Sequence, residues 1–310
     1  MANTTERLAS LIEQLSSLKQ GAGNVYLVVP EDSTTAAWRQ IPAFAKGVDG
    51  VIGASQIYPT IAQALAQCVS GRGDTVLVAP GFYVQTTQIT LSKNGVTLRG
   101  LGAKPFDTII RGPTTAGTHG LLVDASDCSI ENLTLQGQNA TGWGCKNASR
   151  SNNRWLNCFF GNEGAAPTQV GGLLLDASGA SGRTYPKVIG CRFANAVIGL
   201  RFTSGNGASL VNSGATVQDC EFSTNSTADI QSTGTTASDD VLIKDCDFAV
   251  CSTNLVIAIT SPALKGLVTG CRFAVAANTQ ANLTGGAALD AATEYAGNYT
   301  RAGLSTAKPA

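Results

Sequence analysis

Val188-Ile189-Gly190-Cys191-Arg192-Phe193 is the stretch on which the fold turns, because its pattern returns along the chain. An apolar residue, then two places on a Gly, Asn or Asp, then Cys or Leu, and finally Phe or Leu recur over Ile130 to Leu135, Trp155 to Phe160, Val217 to Phe222, Ile243 to Phe248 and Val268 to Phe273. Along the column Leu133, Cys158, Cys191, Cys220, Cys246 and Cys271 the steps are 25, 33, 29, 26 and 25 residues, a period with loop-sized insertions. The third position of each copy holds Asn132, Asn157, Gly190, Asp219, Asp245 or Gly270. These residue types enter left-handed backbone at least cost, so they mark a corner taken once per turn. Gly120, Gly144, Gly172, Gly199, Asp229 and Asn254 run in phase and predict a second left-handed corner.

Short strands flank each corner and alternate apolar with polar residues, as in Cys191-Arg192-Phe193 and Cys271-Arg272-Phe273. The expected fold is all-β: a single-stranded parallel β-helix whose rungs stack about 4.8 Å apart. Cys158, Cys191, Cys220, Cys246 and Cys271, with Phe193, Phe222, Phe248 and Phe273, then form an interior ladder. The thiols serve as small apolar filler, since parallel side chains on stacked rungs are badly aimed for a disulfide, and there is no Cys-x-x-Cys pair to hold a metal.

The 310 residues carry 21 basic and 21 acidic side chains, and charged residues make up only 14% of the chain. Zero net charge without a basic cluster removes the term that drives nucleic-acid binding. No apolar run approaches the roughly 20 residues of a membrane span, and no basic segment followed by an apolar one opens the chain, so a leader is not expected.

The expected organisation is a helical arm and hinge over 1–23, a strand, loop and capping helix over 24–69, the β-helix over 70–275, and a C-terminal cap and tail over 276–310. Leu8, Leu11, Ile12, Leu15 and Leu18 give the arm a coiled-coil-like docking seam ahead of Gly21-Ala22-Gly23. Tyr58 to Val69 reads as an amphipathic helix, with Thr60 near its start, that covers the open end of the coil.

Glycoside hydrolysis needs two carboxylates in one cleft. The acids available are Asp124, Asp127 and Glu131 near His119-Gly120, then Asp176, and Asp239-Asp240. Asp219 and Asp245 are explained by their corners, while Glu221 and Asp247 share an outward column with Arg192 and Arg272. Arg72-Gly73-Asp74 matches an adhesion tripeptide but sits in a turn that itself calls for Gly-Asp. No catalytic, cofactor or metal-binding residue is assigned from this inventory.

The segment from Thr60 through Gly71-Arg72-Gly73-Asp74-Thr75-Val76-Leu77-Val78-Ala79-Pro80-Gly81 to Gly100 resembles the opening coils of pectin-lyase-like right-handed β-helix proteins. More narrowly, it is similar to β-helix structural proteins of tailed-phage virions. His119-Gly120 resembles part of a polygalacturonase Gly-His-Gly, with Thr118 in place of the first glycine. The resemblance implies a right-handed coil and a non-enzymatic virion protein: a capsid decoration or cement protein, or a head spike. As such it would be a homotrimer on the particle, partnered by the major capsid protein or other virion proteins, with no cofactor. The alternative is a tailspike-type polysaccharide depolymerase, or an adhesin that stacks host surface glycans on Trp143, Trp155 or Tyr185, although the inward column of Trp155 places that ring in the interior.

Overall fold

The computed structural model describes residues 23–29, 56–148, 150–162, 169–177, 184–204, 212–234, 238–249, 255–259, 264–274, 293–300 and 303–305. The arm with Leu8, Leu11, Ile12, Leu15 and Leu18, and the corner residue Asn254, lie outside them.

The described chain winds as a parallel β-helix of three sheets with eleven, ten and seven strands. One coil shows the plan. Arg154–Leu156 lies in the first sheet, Asn157 turns the corner, Phe159–Gly161 lies in the second, and Gly171–Asp176 lies in the third. Each strand pairs in parallel with its counterpart one coil away, so Trp155 stands beside Ile130 and Val188, and Phe160 beside Leu135 and Phe193. The rungs run past both ends of the 70–275 segment. Val25–Val28 pairs with Thr75–Val78, and Thr293–Ala296 and Asn298–Thr300 extend the first and second sheets. An antiparallel pairing of Asn298–Thr300 with Gly303–Ser305 borders the second sheet.

Corner chemistry sets the path. Asn132, Asn157, Asp219 and Asp245 have φ of 50 to 52°, and Gly190 and Gly270 have φ of 62 and 66°. Asn157 Nδ2 donates to Asn132 Oδ1, and Asn132 Nδ2 donates to the carbonyls of Gly100 and Gly102, so the corner side chains bridge successive coils. The second column is corrected: Gly120, Gly144, Gly172, Gly199 and Asp229 have no left-handed backbone. Glycine is needed there because backbones touch. A Cβ on Gly144 would lie 2.5 Å from the Leu135 carbonyl oxygen and 2.8 Å from that of Gly172. A left-handed column unread in the sequence does exist where the third sheet leads into the first: Gly71, Gly95, Asp127, Asn152, Tyr185, Gly214 and Asp240.

Inside, Phe160, Phe193, Phe222, Phe248 and Phe273 form one stack with ring centroids 4.8 to 4.9 Å apart, a spacing imposed by the strands. Cys158, Cys191, Cys220, Cys246 and Cys271 are buried beside it with free thiols. Their Sγ atoms donate to backbone carbonyls, as Cys191 does to Trp155. Burial raises the Cys145 and Cys191 thiols well above the usual range, which keeps them protonated.

The helix Ile61–Gln67 covers one end of this core, shorter than expected because Ile57–Tyr58 is a strand. Thr60 caps it by accepting from the Gln63 amide, and Ile61, Ala64 and Leu65 are buried with Val28, Val76 and Val78. Beside the helix, the fully buried Asp74 carboxylate accepts from the amides of Asn24 and Val69 and from the Arg72 guanidinium. Burial alone would raise this carboxyl, but those donors hold it below its usual value. Arg72-Gly73-Asp74 is therefore a clip between coils, with its carboxylate sealed from any receptor.

Candidate active face

The outer face of the seven-stranded sheet collects the unusual groups. Successive strands present Lys146, Leu174, Arg201 and Gln231 in one register. Rungs at about 4.8 Å put Lys146 and Arg201 about 10 Å apart along the face. Asp176 pairs with Ala148 in the neighbouring column, and Lys146 Nζ reaches it at 2.9 Å. Asp124 directly follows Val123, the partner of Asn147, so Asp124 and Asp176 also lie two rungs apart along that column.

Trp143 anchors the face. Its indole is 4% exposed and forms, with Leu174 and Ile198, an apolar cluster outside the main core. Gly171 makes this possible, since a Cβ there would lie 2.1 Å from the indole ring. The Arg201 guanidinium sits 5.1 Å from the Trp143 ring centroid, and its Nε donates to Gln231 Oε1 at 2.6 Å. Desolvation lowers the Arg201 pKa from its ordinary value, yet a guanidinium stays charged at any working pH. Among the described residues no carboxylate pairs with it.

His119 borders the same face. Its backbone amide donates to Gln88 Oε1, and its Nδ1 accepts from the Trp143 amide at 3.3 Å. Burial, then the nearby Lys146, push its pKa down to about 4, with Asp176 opposing. His119 is therefore neutral, with the proton on Nε2 available to donate.

The other acids are dispersed. Glu131 lies on the first sheet, accepting from the Ser129 hydroxyl and facing Arg99. Asp127 lies at a corner beside Asn152, Asp240 has left-handed backbone at φ 53°, and the side chain of Asp239 is outside the described residues. Arg192 pairs with Glu221 and Arg272 with Asp247 as exposed ion pairs along the second sheet. Asp124 is held by Arg150. Of the aromatic candidates, Trp155 fills the interior, in keeping with its inward column, Trp143 is corrected because it is buried and offers no ring to a sugar, and Tyr185 is 41% exposed. Among the described residues no group of three His, Cys, Asp or Glu side chains is placed to hold a metal. Sequence reasoning missed Arg201 and Lys146, which stand in no motif and acquire meaning only through cross-rung neighbours.

The chain has a right-handed parallel β-helix fold. Its likeness to solved structures runs over almost the whole chain. A pectin methylesterase from carrot covers 93% of this chain and 86% of its own, at 14% identity and a TM-score of 0.53. Pectin methylesterase PemA from Erwinia chrysanthemi covers 92% and 91%, at 11% identity and 0.51, and a pectin methylesterase bound to a hexasaccharide covers 92% and 91%, at 12% and 0.50. No protein-family model and no curated protein matches. The likeness corrects the expectation of a non-enzymatic body, because all three of these structures are pectin methylesterases. At such identities it shows the fold, and the chemistry must be argued from this chain's own residues.

Proposed function

We propose that the protein is a polysaccharide-cleaving β-helix that takes an acidic glycan along the outer face of the seven-stranded sheet. The observation that carries this reading is Arg201, a largely buried cation fixed by Trp143 and Gln231 with no carboxylate partner among the described residues. A desolvated guanidinium without a counterion attracts a carboxylate strongly, and its planar fork suits one. Asp176 and Asp124 lie about 10 Å apart by rung spacing, on either side of the strand of Lys146. The neutral His119 borders the same face and offers a hydrogen-bond donor at Nε2.

The resemblance of Thr60 to Gly100 to tailed-phage virion proteins supports a tailspike setting for this activity: a homotrimer on the virion, docked to other virion proteins, acting on a host surface glycan. Incubation with a polyuronate tests the central claim. Released oligosaccharides that disappear in Asp176→Ala and Arg201→Ala variants, with both variants folded by circular dichroism, are expected. Unchanged release by those variants overturns the assignment of this face.

A further inference from the structure

A groove of about 460 Å³ lies on a different flank, at the corner leading from the seven-stranded into the eleven-stranded sheet, lined by Asp127, Asn152, Arg154, Tyr185, Lys187 and Gly214. Two independent features of it point to a ligand.

The first is backbone. Tyr185 occupies the left-handed column whose other members are Gly71, Gly95, Asp127, Asn152, Gly214 and Asp240. Those residue types tolerate that conformation, whereas a bulky aromatic at φ 45° is strained. The ring lies over Gly214, where a Cβ would come within 2.5 Å of it, so the neighbouring coil keeps a seat clear for it. The result is an aromatic ring 41% exposed, whose hydroxyl makes no hydrogen bond to the described residues.

The second is charge. Arg154 and Lys187 are direct partners on adjacent parallel strands, both exposed, and neither has a carboxylate within ion-pair distance among the described residues. Like charges directly opposite each other destabilise a sheet. Elsewhere opposite signs meet across rungs: Arg99 with Glu131, Arg192 with Glu221, Arg272 with Asp247. A strained ring and an uncompensated pair of cations in one groove both cost stability, and one ligand would use both.

We infer that this groove is a second, non-catalytic binding site for an anionic saccharide. A sugar ring packs on Tyr185, its carboxylate or sulfate sits between Arg154 and Lys187, and its hydroxyls reach Asp127 and Asn152. Aromatic packing with charge-assisted hydrogen bonds is the chemistry that recognises such a unit. This inference stands apart from the reading of the outer face, since the two share no residue.

Titration calorimetry on the Arg201→Ala protein, in which the other face is disabled, provides the test. The probes are a hexauronate, a sulfated hexasaccharide and a neutral hexasaccharide. One of the anionic probes is expected to bind one equivalent per chain, the preference showing which anion is read, while the neutral probe binds at least about tenfold more weakly. Tyr185→Asn, which suits the left-handed column, is expected to lose at least about tenfold in affinity while melting at a higher temperature. Arg154→Gln with Lys187→Gln, a surface change that leaves the ring in place, is expected to abolish the salt dependence of binding. No binding by either anionic probe, equal binding of the neutral one, or unchanged affinity in both variants overturns the inference. None of these results bears on polyuronate cleavage by the unmodified protein.

Discussion

The Arg201 guanidinium lies against the Trp143 indole, 5.1 Å from its centroid, although the two residues sit two coils apart. The platform orients the cation and removes it from water, and Gln231 fixes the direction of its fork. Arg201→Lys keeps the charge but loses both the planar stack and the bond to Gln231. Its turnover of a polyuronate should fall by at least about tenfold with little change in melting temperature. Steady-state kinetics on the two proteins provide the check. Trp143→Ala should also destabilise the protein, by about 3 kcal/mol, because the cluster with Leu174 and Ile198 loses its largest member.

Asp74 should matter more to stability than any other acid described. Asp74→Ala leaves the Asn24 and Val69 amides and the Arg72 guanidinium without their acceptor, at a cost of about 3 kcal/mol in urea unfolding. Its depressed folded pKa fixes the sign of the pH effect. The contribution is complete above the unfolded value near 4 and is lost as pH falls through the folded one.

Asp229 and His119 pull the pH profile in opposite directions. Burial raises Asp229 to about 7, Asn225 donates to its Oδ1, and its Oδ2 has no partner among the described residues. Between about pH 4 and 7 the folded state holds a proton that the unfolded state has released, so stability falls as pH rises through this window. Asp229→Asn should therefore stabilise the protein at pH 8, by on the order of 3 kcal/mol, and have little effect at pH 4. His119, lowered to about 4, does the reverse: stability is lost as pH falls from about 6.5 toward 4, and His119→Gln should remove that loss. Thermal melts across pH 4 to 8 for the two variants separate the effects.

Two kinds of glycine should respond differently to substitution. Gly190 has φ 62° with open space around its Cβ position, so Gly190→Asn should be nearly neutral, as Asn132 and Asn157 fill the same corner. Gly144→Ala meets backbone on two sides and should unfold the middle coils, with a large drop in melting temperature. Circular dichroism melts of the two variants decide it.

The eight described thiols should resist labelling in the folded state and react after denaturation, since all are buried. Mass spectrometry of alkylated peptides maps them individually. Rapid modification of Cys220 or Cys246 in the native protein would contradict the interior ladder.

The coil was legible in the sequence because a corner of two or three residues leaves no choice of conformation. Asn132, Gly190 and Asp245 must adopt left-handed backbone, and only residues that accept it recur there. The glycine column from Gly120 to Gly199 was visible but its cause was not, since close approach between coils and positive φ select the same residue. The Tyr185 corner was hidden because its column mixes Gly, Asp, Asn and a lone aromatic. The active face was the least legible part. Arg201, Trp143 and Lys146 meet only through registers 27 and 28 residues long, and their local sequence reads as ordinary strand.

Trp155 has a consequence for how the chain finds its register. Neighbouring coils resemble one another closely, so a nascent solenoid is exposed to slippage by a whole turn, with each strand settling beside the wrong copy. Trp155 stands fully buried in a column whose other members from Val76 to Val268 are Leu98, Ile130, Val188, Val217 and Ile243. Displaced by one turn, the indole would be forced into a slot shaped for a branched aliphatic, and its own slot would be left partly hollow. One oversized side chain thus indexes the whole winding, as a single keyed tooth fixes the phase of a gear.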